Sequence, residues 1–170
     1  MSDYLYHYYV EGENEEKIVN ALKAELRCIK PGKVTVFDVV KRKLTKERLM
    51  RLKKGTIVVL VFDTDTDSAD ILKMNLEFLS KQSFIKKTIC VTQVENLEDE
   101  LERSCKIKSV KELTGSRTIA DYKRKLNVEK NLGSKLVKYS FDINKFWVKE
   151  AEGPFSDVKN NSNKIKTNKT

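Results

Sequence analysis

Hydrophobic and polar positions along the chain fall into two periods. Tyr4-Leu-Tyr-His-Tyr-Tyr-Val10 is a compact run of strand-forming residues, followed by Glu11-Gly12-Glu13-Asn14. Asn14 is placed to cap a helix whose early Glu15 and Glu16 suit its positive end. Ile18, Val19, Leu22 and Leu26 then recur at helical spacing until Pro31-Gly32 breaks the pattern. Lys33 to Val40 reads as a second strand. Thr45 caps a short helix carrying Leu49 and Leu52, ended by Gly55. Thr56-Ile-Val-Val-Leu-Val-Phe62 is continuously apolar rather than alternating, as a central parallel strand covered on both faces requires. A helix from Ser68 to Gln82 and a strand from Lys87 to Val94 complete a β-α-β-α-β-α-β order, the signature of a parallel sheet with helices packed on it. Beyond Glu95 the pattern turns helical. Segments 97–105, 110–113, 118–126 and 132–139 are predicted helices, segment 142–147 is expected to close the fold, and residues 153–170, rich in Asn, Lys, Ser and Thr, are expected to form a disordered basic tail.

Composition narrows the chemistry. In 170 residues there are three cysteines and one histidine, His7, so zinc sites built on His and Cys and triads with a mid-chain His base are excluded. Cys28, Cys90 and Cys105 fit no disulfide framework, and Cys90 is expected as a buried strand residue. No apolar run approaches a membrane span of ~18 residues, so no membrane partner is expected and a cytoplasmic location is. The net charge of +9 is unevenly placed: residues 1–102 hold 17 bases and 18 acids, residues 103–170 hold 17 bases and 7 acids. A basic region of this kind suits a polyanion such as DNA or RNA, whose phosphates exchange counterions for Lys and Arg. Arg117, Lys123, Arg124 and Lys125, beside the Gly115-Ser116 turn, are the candidate phosphate contacts, although solvated helix faces explain such residues equally well. Trp147, Phe141 and Phe146 read as core rather than as base-stacking residues, and His7 as structural.

In open α/β sheets, ligands bind beyond the carboxyl ends of the strands. Glu11 follows the first strand, and Asp63, Asp65 and Asp67 follow the third. Clustered carboxylates repel one another unless a cation sits among them, and all-oxygen donors select Mg²⁺ or Mn²⁺. An EF-hand would need Gly and Glu where Ser68 and Met74 stand. A haloacid dehalogenase-type phosphatase would place its Asp-x-Asp earlier in the chain, and the fifth position here is Asp67. Asp67 or Ser68 also suits a plain helix cap.

Tyr8-Tyr-Val-Glu11-Gly12-Glu13-Asn14-Glu15, followed by Val59-Leu-Val-Phe62-Asp63-Thr-Asp65, resembles the Toprim domain shared by topoisomerases, bacterial primases, OLD-family nucleases and ribosomal-RNA maturases. The resemblance spans residues 4–95 and implies a Rossmann-like, mainly parallel four-stranded sheet with the Glu and Asp strands adjacent. It implies Glu11 as general acid or base and metal ligand, and Asp63 and Asp65 as the Mg²⁺ pair. One departure is Asp67-Ser-Ala where many members carry Gly. Glu95 and Glu98, after the fourth strand, are candidates for holding a second metal, while Asn96 capping a helix with Asp99 at its third position explains the same run.

The expected organisation is therefore an α/β core over 1–95, a basic helical extension over 96–152 and the tail. The expected function is Mg²⁺-dependent hydrolysis of phosphodiester bonds in DNA or RNA. The alternatives are a non-catalytic nucleic-acid-binding or regulatory subunit, for example of a bacterial phage-defence system, and a small-molecule phosphatase. A protein partner or self-association stays open.

Overall fold

A computed structural model describes residues 5–167. Tyr4, at the start of the first predicted strand, and tail residues 168–170 lie outside the described residues. Four strands, β1 (Tyr6–Val10), β2 (Gly32–Val36), β3 (Thr56–Asp63) and β4 (Ile85–Gln93), form one sheet in the order β2-β1-β3-β4 with every pairing parallel. This is a Rossmann-like α/β arrangement. Among the described residues seven α-helices surround it: α1 (Glu13–Asn20), α2 (Lys46–Leu49), α3 (Asp70–Ser80), α4 (Leu97–Ser104), α5 (Lys111–Thr114), α6 (Ile119–Val128) and α7 (Leu132–Lys138).

The register places the chemistry. Val10 stands opposite Val36 on one side and Val61 on the other, and Asp63 stands opposite Gln93. Glu11, Asp38 and Asp63 therefore leave the sheet at a common rim. Side-chain alternation along the strands divides the core in two. Tyr8, Val10, Val59 and Val61 face one layer with Ile18 of α1, Leu101 of α4, Leu126 of α6 and Leu136 of α7. Tyr9, Val58, Leu60 and Phe62 face the other, with Leu72 of α3. All but the last residue of β3 are buried, as its unbroken apolar run requires.

Several expectations change. α1 begins one residue before Asn14, with Gly12 at its N-cap and no side-chain cap. Asn14 instead donates from its amide to the Lys123 carbonyl (3.0 Å) and to Asn127, tying α1 to α6. The predicted run to Leu26 is completed by a π-helical turn, Ala21–Glu25. The second strand ends at Val36, and Asp38 turns the chain by accepting the Val40 and Lys41 amides. Segment 142–147, for which no element type is predicted, carries the 3₁₀ turn Ile143–Lys145 and ends at Trp147 in a left-handed backbone (φ 56°).

The largest correction concerns the tail. Residues 153–167 are packed, with Phe155, Val158 and Ile165 buried and Phe155 stacked on Phe62 at 6.0 Å between centroids. The Asn161 amide donates to the Cys90 carbonyl (2.8 Å), covering the outer edge of β4, and Ile29 pairs antiparallel with Lys166. Composition misleads here because the few apolar residues are spaced singly, each filling a separate gap. The polar residues meanwhile serve the backbone, as when the Asn160 amide donates to the Trp147 carbonyl (2.7 Å).

Candidate functional site

Glu11 sits one residue beyond β1, and its Oε2 accepts the backbone N–H of Asp63, 52 positions later, at 3.0 Å. Adjacency of β1 and β3 makes this contact, so the two motifs of the sequence meet at one rim. Asp63 closes β3, and its Oδ1 accepts the Gln93 amide at 2.6 Å from the end of β4. Gln93 is fully buried and is itself oriented, since its Oε1 accepts the Trp147 indole N–H at 3.2 Å. The buried Gln93 and Trp147 thus fix one oxygen of Asp63, and among the described residues no side chain or amide donates to the other.

Glu11 and Asp63 line a cavity of about 420 Å³ that also presents Glu15, Asp38, Glu98 and Lys123. Its electrostatics follow from burial and like charge. Burial, then the neighbouring Glu11 and Glu15, pushes the Asp63 carboxyl up to about 9. Burial also raises Glu11, with Asp38 and Asp65 adding to the rise while the Asp63 amide opposes it. Glu15, buried in the first turn of α1, rises to about 7, chiefly by desolvation and then through Glu11 and Glu98. Burial and like charge thus disfavour ionisation of Glu11, Glu15 and Asp63, and among the described residues the one cation lining the cavity is Lys123, 3.4 Å from Glu98.

The predicted site residues separate accordingly. Glu11 and Asp63 are in contact. Asp65 is exposed on the loop after β3, near enough to raise both. Asp67 is exposed, lies outside the cavity lining and caps nothing; the Ser68 hydroxyl accepts the Asp70 amide instead (3.2 Å). Glu98 lines the cavity, whereas Glu95 is exposed in a left-handed conformation (φ 49°) and does not. Asn96 caps α4 by accepting the Asp99 amide at 3.0 Å.

Of the four candidate phosphate contacts, Lys123 reaches the cavity. Arg124 and Lys125 both bind Asp121, at 2.6 and 3.0 Å, and Arg117 is exposed elsewhere. Trp147 and Phe146 are fully buried, which removes them as base-stacking surfaces. His7 binds Thr35 (2.9 Å), and burial lowers it to about 4, so it is neutral at pH 7.

Sequence reasoning passed over Glu15, Asp38, Gln93 and Trp147 as site residues. Glu15 carries a usable signal, an acid in the first turn of the helix that starts two residues after Glu11. Gln93 and Trp147 carry none, since their pairing spans 54 positions.

Oxygen-only donors with suppressed ionisation suit a hard cation in their chemistry. Among the described residues, however, no group of three or more such side chains is assembled at coordinating distance. Among them, too, no helix is long and apolar enough to cross a membrane. No protein-family model matches the chain, and neither a curated protein nor a solved structure does.

Proposed function

We propose that the chain is a Mg²⁺- or Mn²⁺-dependent nuclease of Toprim type that hydrolyses phosphodiester bonds of DNA or RNA at this rim. The observation that carries the proposal is the meeting of Glu11 with the end of β3, which gathers carboxylates from distant segments into one crevice. Their mutual repulsion is a cost that a divalent ion relieves. Glu11, Asp63 and Asp65 would hold it, and bound metal supplies a polarised phosphoryl group and an activated water. The chain's own contributions are positional and acid–base. Gln93 and Trp147 hold Asp63 in one orientation. Glu11, whose burial raises its proton affinity, accepts or returns the proton of the attacking water or leaving oxygen. Lys123, at the mouth of the crevice, meets the phosphate backbone.

The missing three-ligand set among the described residues favours a second reading, a nucleic-acid-binding or regulatory subunit without turnover. One experiment separates the two. Purified protein with Mg²⁺, Mn²⁺ or EDTA is incubated with single- and double-stranded DNA and RNA, comparing wild type with Glu11→Gln and Asp63→Asn. Metal-dependent cleavage falling at least 100-fold in both variants supports the nuclease. Salt-sensitive binding without cleavage supports the second reading, and activity confined to a chromogenic phosphate monoester supports a phosphatase.

A further inference from the structure

A second polar cavity lies toward the amino ends of β1 and β2, away from the acidic rim. It encloses about 280 Å³ between the sheet and α2, with Tyr9 and Thr35 on the sheet side and Lys33, Arg48 and Arg51 around it. It shares His7, Lys33, Arg51 and Leu52 with a neighbouring cavity of about 480 Å³, whose further walls include Leu5, Tyr6 and Pro31. The pair forms one groove with cations along its length, Lys53 among them, and with Leu5, Tyr6 and Pro31 adding apolar wall at one end.

The cations at this groove are unspent. Among the described residues neither Lys33, Arg48 nor Arg51 is in an ion pair, although Glu47, the one carboxylate lining the smaller cavity, stands nearby. Arg124, Lys125, Lys81 and Lys135 of the same chain all find carboxylates. Arg48 is held by stacking, its guanidinium carbon 4.3 Å from the Phe37 ring centroid, which fixes the plane of its N–H donors without using them. Tyr9 is 1% exposed and its hydroxyl makes no hydrogen bond among the described residues. Arg48 and Arg51 line the same cavity as Tyr9, and both oppose the rise that burial gives its hydroxyl. His7 is neutral at pH 7, engaged with Thr35, and serves as a flat polar wall rather than a fourth charge.

We propose that this groove binds a nucleoside phosphate, its terminal phosphate monoester held by Lys33, Arg48, Arg51 and the Tyr9 hydroxyl and its base lying against Tyr6, Pro31 and Leu52. Three unpaired cations match a dianionic monoester, and Arg presents the forked donors that phosphate oxygens accept in pairs. The adjoining apolar wall accounts for a planar ring rather than a bare anion. The larger volume lies in the range of small-ligand sites, about 300–1,000 Å³, and the smaller lies just below it. The proposal is independent of the nuclease reading. The ligand has two possible sources, a free mononucleotide or the phosphorylated end of a strand.

Isothermal titration at fixed salt with AMP, adenosine, inorganic phosphate, and tetrathymidylate with or without a 5′-phosphate tests it. AMP is expected to bind at least tenfold more tightly than adenosine or inorganic phosphate. Arg48→Gln combined with Arg51→Gln is expected to weaken AMP at least tenfold. Matching affinity for the 5′-phosphorylated oligonucleotide, lost without its phosphate, assigns the site to strand ends; binding of AMP alone assigns it to the free nucleotide. Equal affinity for AMP and adenosine, or AMP binding unchanged in the double variant, overturns the proposal. So does AMP binding abolished by Glu11→Gln, which would put the ligand in the acidic crevice. Should the double variant not fold, the exposed Lys33→Gln carries the test with an expected loss of at least threefold, and an unchanged affinity there is equally fatal.

Discussion

Replacing Asp63 with Asn should make the metal-free protein more stable. The Asp63 carboxyl moves from an ordinary 3.8 to about 9 on folding, because it is buried beside Glu11 and Glu15. Between those values the folded chain keeps a proton that the unfolded chain has released, so the unfolded state binds fewer protons and stability falls as pH rises through the window. At about 1.4 kcal/mol per pH unit, the distance from 3.8 to pH 7 corresponds to about 4 kcal/mol. Asn carries no charge at any pH, and its amide oxygen can still accept the Gln93 amide that Asp63 Oδ1 accepts at 2.6 Å. The substitution therefore removes the electrostatic cost and retains the contact. For a chain of this size, 4 kcal/mol corresponds to a rise in Tm of about 10 °C, which is the upper end of the expected gain. Urea unfolding of wild type and Asp63→Asn at pH 5, 7 and 9 in EDTA measures it. Wild-type stability should decline across that series and the variant should decline less, with the gap widest at pH 9. Millimolar Mg²⁺ should then raise the wild type and leave the variant nearly unchanged. An Asn variant less stable than wild type at pH 9 would refute the electrostatic account of the crevice.

Three further outcomes follow from the same geometry. Gln93→Leu breaks the bridge between Asp63 and Trp147, leaving a buried indole N–H without its acceptor; a loss of about 1–3 kcal/mol is expected by denaturant titration. In the cleavage assay, kcat should fall more than KM changes, because only the orientation of Asp63 is lost. Phe155→Ala, within the segment whose composition suggests disorder, should cost about 3–5 kcal/mol, whereas a solvated tail would register no change. Gly32→Ala should prevent soluble accumulation, since a Cβ there would collide with the Tyr6 carbonyl oxygen inside the β1–β2 pairing; normal yield and an unchanged circular dichroism spectrum would contradict that contact.

Local pattern determined a good deal about this protein. The apolar run 56–62, the helical spacing of Ile71, Leu72, Leu76 and Leu79, and the caps at Thr45 and Asn96 are short-range signals: a strand covered on both faces cannot afford polar positions, and a cap acts within three residues. Placing Glu11 and the Asp-x-Asp run at strand ends needed only the order of elements. Tertiary structure decided the rest. That β1 lies beside β3 is set by sheet assembly, and only that adjacency brings Glu11 to the Asp63 amide. Glu100 illustrates the limit: it reads as a solvated acid in a charged helix, yet it is fully buried, accepting the amides of Val94 (3.1 Å) and Trp147 (2.8 Å) and the Arg103 guanidinium (2.6 Å). The last segment shows the same principle in reverse, its polar residues bonding distant backbone while Phe155 and Ile165 fill gaps left by other elements. Periodicity reports what a residue's near neighbours along the chain require, whereas burial and partnership depend on segments that meet only after the chain has folded.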